Sequence, residues 1–86
     1  MGDVLATLKI MPEGVDVDIE HLKEEIKGAV EGKVAGIETR PIAFGLKAII
    51  VKVIIGDEAN ILERIEKRIM EIKGVGSVEA EEVTLV

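Results

Sequence analysis

At 86 residues, 48% of them hydrophobic, and with no apolar run near the ~20 residues that a membrane span needs, the chain reads as one packed domain over residues 1–86. A net charge of −6 and a single aromatic, Phe44, exclude the basic face of a nucleic-acid binder and the stacking platform of an RNA-recognition sheet. The absence of cysteine excludes disulfides, thiolate metal sites and cysteine nucleophiles, and Met1-Gly2-Asp3 lacks the basic segment of a signal peptide, so a cytoplasmic location is expected.

Asp3 to Met11 alternates apolar residues as a strand does, with Val4, Ala6, Leu8 and Ile10 on one face and Leu5, Thr7, Lys9 and Met11 on the other. Pro12-Glu13-Gly14 breaks it. Asp16 and Asp18 are candidate caps for a helix whose stripe is Ile19, Leu22, Ile26, Ala29 and Val30, running to about Glu31 and ended by Gly32. Val34 to Ile42 is a weaker strand that Gly36 dilutes and that Pro41 consigns to an edge. Phe44-Gly45 turns the chain into Leu46–Ile55, whose β-branched run suits a central strand, and Gly56-Asp57 ends it. A second helix starts between Asp57 and Asn60, where Asn60 and Glu63 have capping-box spacing. Its stripe is Ile61, Leu62, Ile65, Ile69 and Ile72, and Gly74 stops it. Ser77 to Leu85 is the last strand. The order β-α-β-β-α-β predicts an α+β, ferredoxin-like sandwich: a four-stranded antiparallel sheet with two helices on one face.

The apolar residues of the last strand change parity, from Val78 and Ala80 to Val83 and Leu85. Either a bulge near Glu81-Glu82 restores the face, or the final residues turn outward and leave Val83, Leu85 and Val86 free for a partner.

Catalytic chemistry finds no foothold. Asp16, Asp18 and Glu20 alternate like the start of a calcium loop, but that loop needs glycine at its sixth position and glutamate at its twelfth, and His21 and Lys27 stand there. His21 is the only histidine, its helical neighbours point inward, and no serine lies near it to form a nucleophile pair. Glu79, Glu81 and Glu82 fall on an edge strand, where charge prevents edge pairing. No phosphate-cradling glycine motif is present. The reading is of a protein that is not an enzyme, with no catalytic residue, metal, cofactor or small-molecule substrate, and with no direct nucleic-acid or membrane partner. An acidic surface suits a basic protein partner. The sheet face away from the helices, with Leu5, Thr7, Lys9 and Met11 beside Ala48, Ile50, Lys52 and Ile54, is expected to be a mixed and partly apolar surface open to water. On chemistry alone Phe44, as the lone aromatic of a small domain, belongs in the core.

Pro41-Ile42-Ala43-Phe44-Gly45-Leu46-Lys47 resembles the aromatic-turn segment of the elongation factor 1-beta exchange domains. The opening Met1-Gly2-Asp3-Val4, the run Thr7-Leu8-Lys9-Ile10-Met11-Pro12 and the Asp-rich approach to the first helix look like the archaeal branch. Val75-Gly76-Ser77-Val78-Glu79 is similar to the start of that family's last strand. The resemblance covers nearly the whole chain. It implies a guanine nucleotide exchange factor of translation that promotes GDP release and GDP/GTP exchange on the GTPase elongation factor 1-alpha. It carries a partner-contact role to Phe44, Gly45 and Lys47 and so reverses the core reading of Phe44. The eukaryotic branch has a penultimate lysine that reaches the partner's magnesium site, and Leu85 stands there instead. Val83, Leu85 and Val86 are accordingly expected to act as apolar bulk in place of a competing cation.

An alternative of another class has the same topology: a small ligand-sensing regulatory domain that dimerises through its sheet. The faint half-repeat, Val34-Ala35-Gly36-Ile37-Glu38 against Val75-Gly76-Ser77-Val78-Glu79, fits it as well.

Overall fold

A computed structural model describes residues 2–30, 33–56 and 60–85. Its elements run β1 (Asp3–Pro12), α1 (Ile19–Ala29), β2 (Lys33–Pro41), a single 3-10 turn (Ala43–Gly45), β3 (Lys47–Gly56), α2 (Ile61–Met70) and β4 (Val75–Leu85). Gly32 and Asp57, read above as a helix stop and a strand end, lie outside the described residues, as does Glu31. The sheet order is β2-β3-β1-β4 and each neighbouring pair is antiparallel. This is the split βαβ arrangement expected from the element order.

The two periodicities of the sequence converge on one core. Ala6, Leu8 and Ile10 of β1 and Ile49, Val51 and Val53 of β3 share the sheet face beneath Leu22 and Ile26 of α1 and Ile65 and Ile69 of α2, and all ten are buried. Each large member contributes about 1.5–3 kcal/mol by leaving water. The β-branched run of β3 lies inside the sheet as expected, and Pro41, which has no amide hydrogen to donate, lies on edge strand β2.

Asp18 caps α1, its carboxylate accepting from the His21 amide at 3.2 Å. Glu20–Lys23 and Glu24–Lys27 close as exposed pairs at 3.4 and 3.3 Å. The second expected cap does not form. Asn60 sits at φ −103°, ψ 0°, outside the extended region from which a cap side chain reaches back, and its side chain makes no capping bond.

The parity change in β4 resolves as a bulge. Thr7 pairs with Glu82 and Leu8 with Ala80, so Glu81 is the extra residue, and beyond it Val83 and Leu85 lie opposite Ala6 and Val4. The helix-side face is thus restored and the strand does not turn outward. A second shift lets Ser77 pair with Met11 and Val75 with Pro12. The skipped residue, Gly76, has no room for a side chain: a Cβ there would lie 2.9 Å from the Pro12 carbonyl oxygen. The Glu13 amide donates to the Gly74 carbonyl at 2.8 Å, locking the same corner. Gly76, part of the half-repeat that also fits a ligand-sensing domain, therefore has a packing reason.

The sheet face away from the helices differs from expectation. Ala48 and Ile50 are 0% and 1% exposed, Thr7 is buried, and Leu5, Lys9, Met11 and Ile54 are half-buried, leaving Lys52 as the exposed member of the set. Long polar side chains account for this. Arg40 is the register partner of Ala48, and Ile50 lies between Glu38 and Lys9, whose aliphatic stems cover it.

Candidate functional site

The hairpin between β2 and β3 presents Phe44. The Ile42 amide donates to the Leu46 carbonyl at 2.7 Å and the Leu46 amide to the Ala43 carbonyl at 3.4 Å, closing a tight loop. Its central residues, Phe44 and Gly45, have φ of +63° and +79°. Positive φ at both central positions is the mark of a type I′ turn, whose twist matches the flanking strands and which favours Asn-Gly. Glycine at the second position meets this demand. Phenylalanine at the first does not: a left-handed conformation costs an L-residue roughly 1–2 kcal/mol. The ring gains no burial in return, since Phe44 is 94% exposed. The core reading of Phe44 from composition is thus overturned. The turn leaves the ring in solvent.

Lys47 follows at the start of β3, exposed and opposite Pro41. The loop from β1 to α1 flanks the hairpin: a Cβ on Gly45 would lie 3.9 Å from a Val15 methyl. Val15 is itself exposed. Between loop and hairpin lies an open groove of about 490 Å³ whose wall includes Val17, Ile19, Thr39 and Lys47 and whose rim carries Asp18 and Glu20. Sequence reasoning missed Val15 as a candidate. Its place in an apolar-poor loop gave no periodic signal, and only the fold brings it beside Gly45.

Val83 and Leu85 stand elsewhere. Leu85 pairs with Val4 near the start of β1, whereas the hairpin abuts the loop that follows the end of β1. The two groups lie at opposite ends of a molecule 42 Å long and 21 × 16 Å across. Leu85 is 78% exposed and Val83 is also exposed, both on edge strand β4. Val86 lies outside the described residues. The candidate residues therefore form two tips, one at the hairpin and one at the C-terminal strand. His21 is exposed on α1, its Nε2 3.4 Å from a Glu25 carboxylate oxygen.

In fold the molecule is similar to the ACT domain of a GTP pyrophosphokinase from Chlorobium tepidum, with a TM-score of 0.67 and 18% identity over 91% of this chain and 97% of that one, a likeness of architecture alone. In sequence it is 45% identical to an elongation factor 1-beta of Methanosarcina barkeri, covering 96% of this chain and 97% of the relative. It is 46% identical to that of Methanothermobacter thermautotrophicus over 96% of each chain, and 39% identical to that of Thermoplasma acidophilum over the full length of both. The model of the EF-1 guanine nucleotide exchange domain matches residues 5–86. That span takes in both tips and all of the sheet but the first two residues of β1, and the chain belongs to the elongation factor 1-beta family, with the family's guanine nucleotide exchange domain making up nearly all of it.

Proposed function

We propose that the chain, acting as a single domain in the cytoplasm, binds the GTPase elongation factor 1-alpha and speeds release of its GDP without any covalent step of its own. The observation that carries this reading is Phe44, an aromatic held in a left-handed turn with its ring in solvent. Strain kept at a surface position, with no folding gain to offset it, points to a contact made with something else. Family membership supports the GTPase as that partner. The acidic balance of the chain favours a protein partner over a phosphate backbone or an anionic lipid surface.

Exchange follows from linkage. A factor that binds the nucleotide-free GTPase more tightly than the GDP form weakens GDP by the same ratio. Two tips separated by the length of the sheet suit a factor that must hold its partner and also disturb it, since one can anchor while the other displaces. Phe44, with Gly45 and Lys47, is the anchor. Val83 and Leu85, with Val86 next in sequence, supply apolar bulk near the magnesium and phosphate end of the nucleotide site. The test is stopped-flow release of a fluorescent GDP from an archaeal elongation factor 1-alpha. Saturating protein is expected to raise the release rate by orders of magnitude, and an unchanged rate would sink the proposal.

A further inference from the structure

The groove beside the hairpin has a composition that specifies an occupant. Its apolar part is Val17 and Ile19, both half-buried, with the exposed Val15 at the lip against Gly45. The Thr39 hydroxyl, in the same wall, is buried and meets no partner among the described residues. The rim carries two carboxylates, Asp18, which also caps α1, and Glu20, which also pairs with Lys23 at 3.4 Å, and Lys47 lies in the wall. Glu13 and Asp16 on the same loop are exposed and add to the negative side. Among the described residues the large exposed hydrophobics are Val15, Phe44, Met70, Val83 and Leu85, and Val15 and Phe44 are the two that flank Gly45.

A groove with an aliphatic wall and an acidic rim matches a side chain with an aliphatic stem and a cationic head. We propose that this groove receives a lysine or arginine of the GTPase, its stem against Val15 and Val17 and its head toward Asp18 and Glu20, so that the loop from β1 to α1 forms a second part of the contact centred on Phe44. Apolar contact at Val15 sets how long the complex lasts, while the acidic rim sets how fast it forms. The inference rests on the exchange reading and extends it to a loop that is distant in sequence from the aromatic turn.

The experiment uses the full chain and an archaeal elongation factor 1-alpha, with three variants. Val15→Asp is expected to weaken binding about tenfold, through faster dissociation, at unchanged melting temperature, because Val15 is exposed. Glu20→Lys is expected to slow association roughly threefold to tenfold in low salt, the difference closing near about 0.5 M salt where screening is strong. Phe44→Ala serves as the control for the exchange reading. If wild type binds and Phe44→Ala loses affinity while Val15→Asp and Glu20→Lys behave as wild type, the groove is not part of the contact and this inference alone falls. If wild type does not bind the GTPase at all, both fall together. If Val15→Asp instead abolishes a thermal shift produced by free amino acids, the groove is a small-molecule site and the inference is again overturned.

Discussion

The Arg40 guanidinium lies 3.4 Å from the Glu81 carboxylate although two whole strands separate the strands that carry them. Arg40 is on β2 and Glu81 on β4, the two edges of the sheet. Three strand spacings are about 14 Å. The pair closes because both side chains reach inward over the helix-free face, on which Arg40 lies with its register partner Ala48. The bulge matters here as well: Glu81 is the extra residue of β4, and its unpaired position lets its side chain swing across.

Breaking this strap should change association more than stability. Both side chains are partly exposed, so the pair itself contributes about 0–1 kcal/mol in moderate salt. Arg40→Ala is therefore expected to lower unfolding free energy by about 1 kcal/mol or less. It also uncovers Ala48 and Ile50, which are buried without lying under the helices. Sedimentation velocity should show the variant self-associating at concentrations where wild type stays monomeric. A variant as monomeric as wild type would show that the strap does not guard the face.

Phe44 offers a separation of stability from binding. Phe44→Asn keeps the left-handed turn with a residue that tolerates it, so chemical denaturation should show a gain of about 0.5–1 kcal/mol. Phe44→Ala should change stability little, the ring being in solvent. Both should weaken affinity for the GTPase by roughly 1–3 kcal/mol, as loss of an aromatic anchor does. Had the ring been a core element, truncation would cost about 3–5 kcal/mol of folding stability, and that result would restore the burial reading.

The two tips should act independently. Sites more than about 10 Å apart with no shared partner add within ~0.5 kcal/mol. Removal of Thr84, Leu85 and Val86 should slow GDP release while leaving most affinity in place, and Phe44→Ala should do the reverse. The double variant is expected to show the sum in activation free energy. Strong non-additivity in a double-mutant cycle would mean that the tips are coupled through the sheet.

Gly76 should be the least replaceable residue of β4. An alanine methyl 2.9 Å from the Pro12 carbonyl oxygen forces backbone to move in β1, not merely a flexible side chain. The expected cost of Gly76→Ala is about 1–3 kcal/mol, seen as a melting temperature lowered by roughly 5–20 °C. Gly28, where nothing lies within 4 Å of a Cβ, is the control: on α1, alanine there should stabilise by about 0.5–1 kcal/mol.

Periodicity made most of the architecture legible. Ala6, Leu8 and Ile10 alternate, Ile65 and Ile69 recur at helical spacing, and the parity break after Ala80 marked the irregularity but left a bulge and an outward turn as equal readings until the register placed Glu81 as the extra residue. What periodicity could not carry depends on backbone shape. Asn60 has a capping residue's chemistry but the wrong dihedrals. Phe44-Gly45 offers half of an Asn-Gly signal, and an aromatic in the other half argues for burial until the turn's handedness is known. The covering of Ile50 depends on Glu38 and Lys9, neighbours on two other strands, which no local window contains.

The strand order also sets a schedule. β1 is made before the other three strands of its sheet and it lies between β3 and β4, so its hydrogen-bonding partners are residues 47–56 and 75–85. At a synthesis rate of about 5–20 residues per second, β1 waits roughly 4–15 seconds for its last neighbour. α1 can form early from local contacts, but β1 has no strand to pair with until β3 emerges, and its second edge stays open until β4 follows. The nascent chain thus depends on late, long-range closure. Shortening at the C-terminal end that reached into the body of β4 would leave a central strand with one side permanently open.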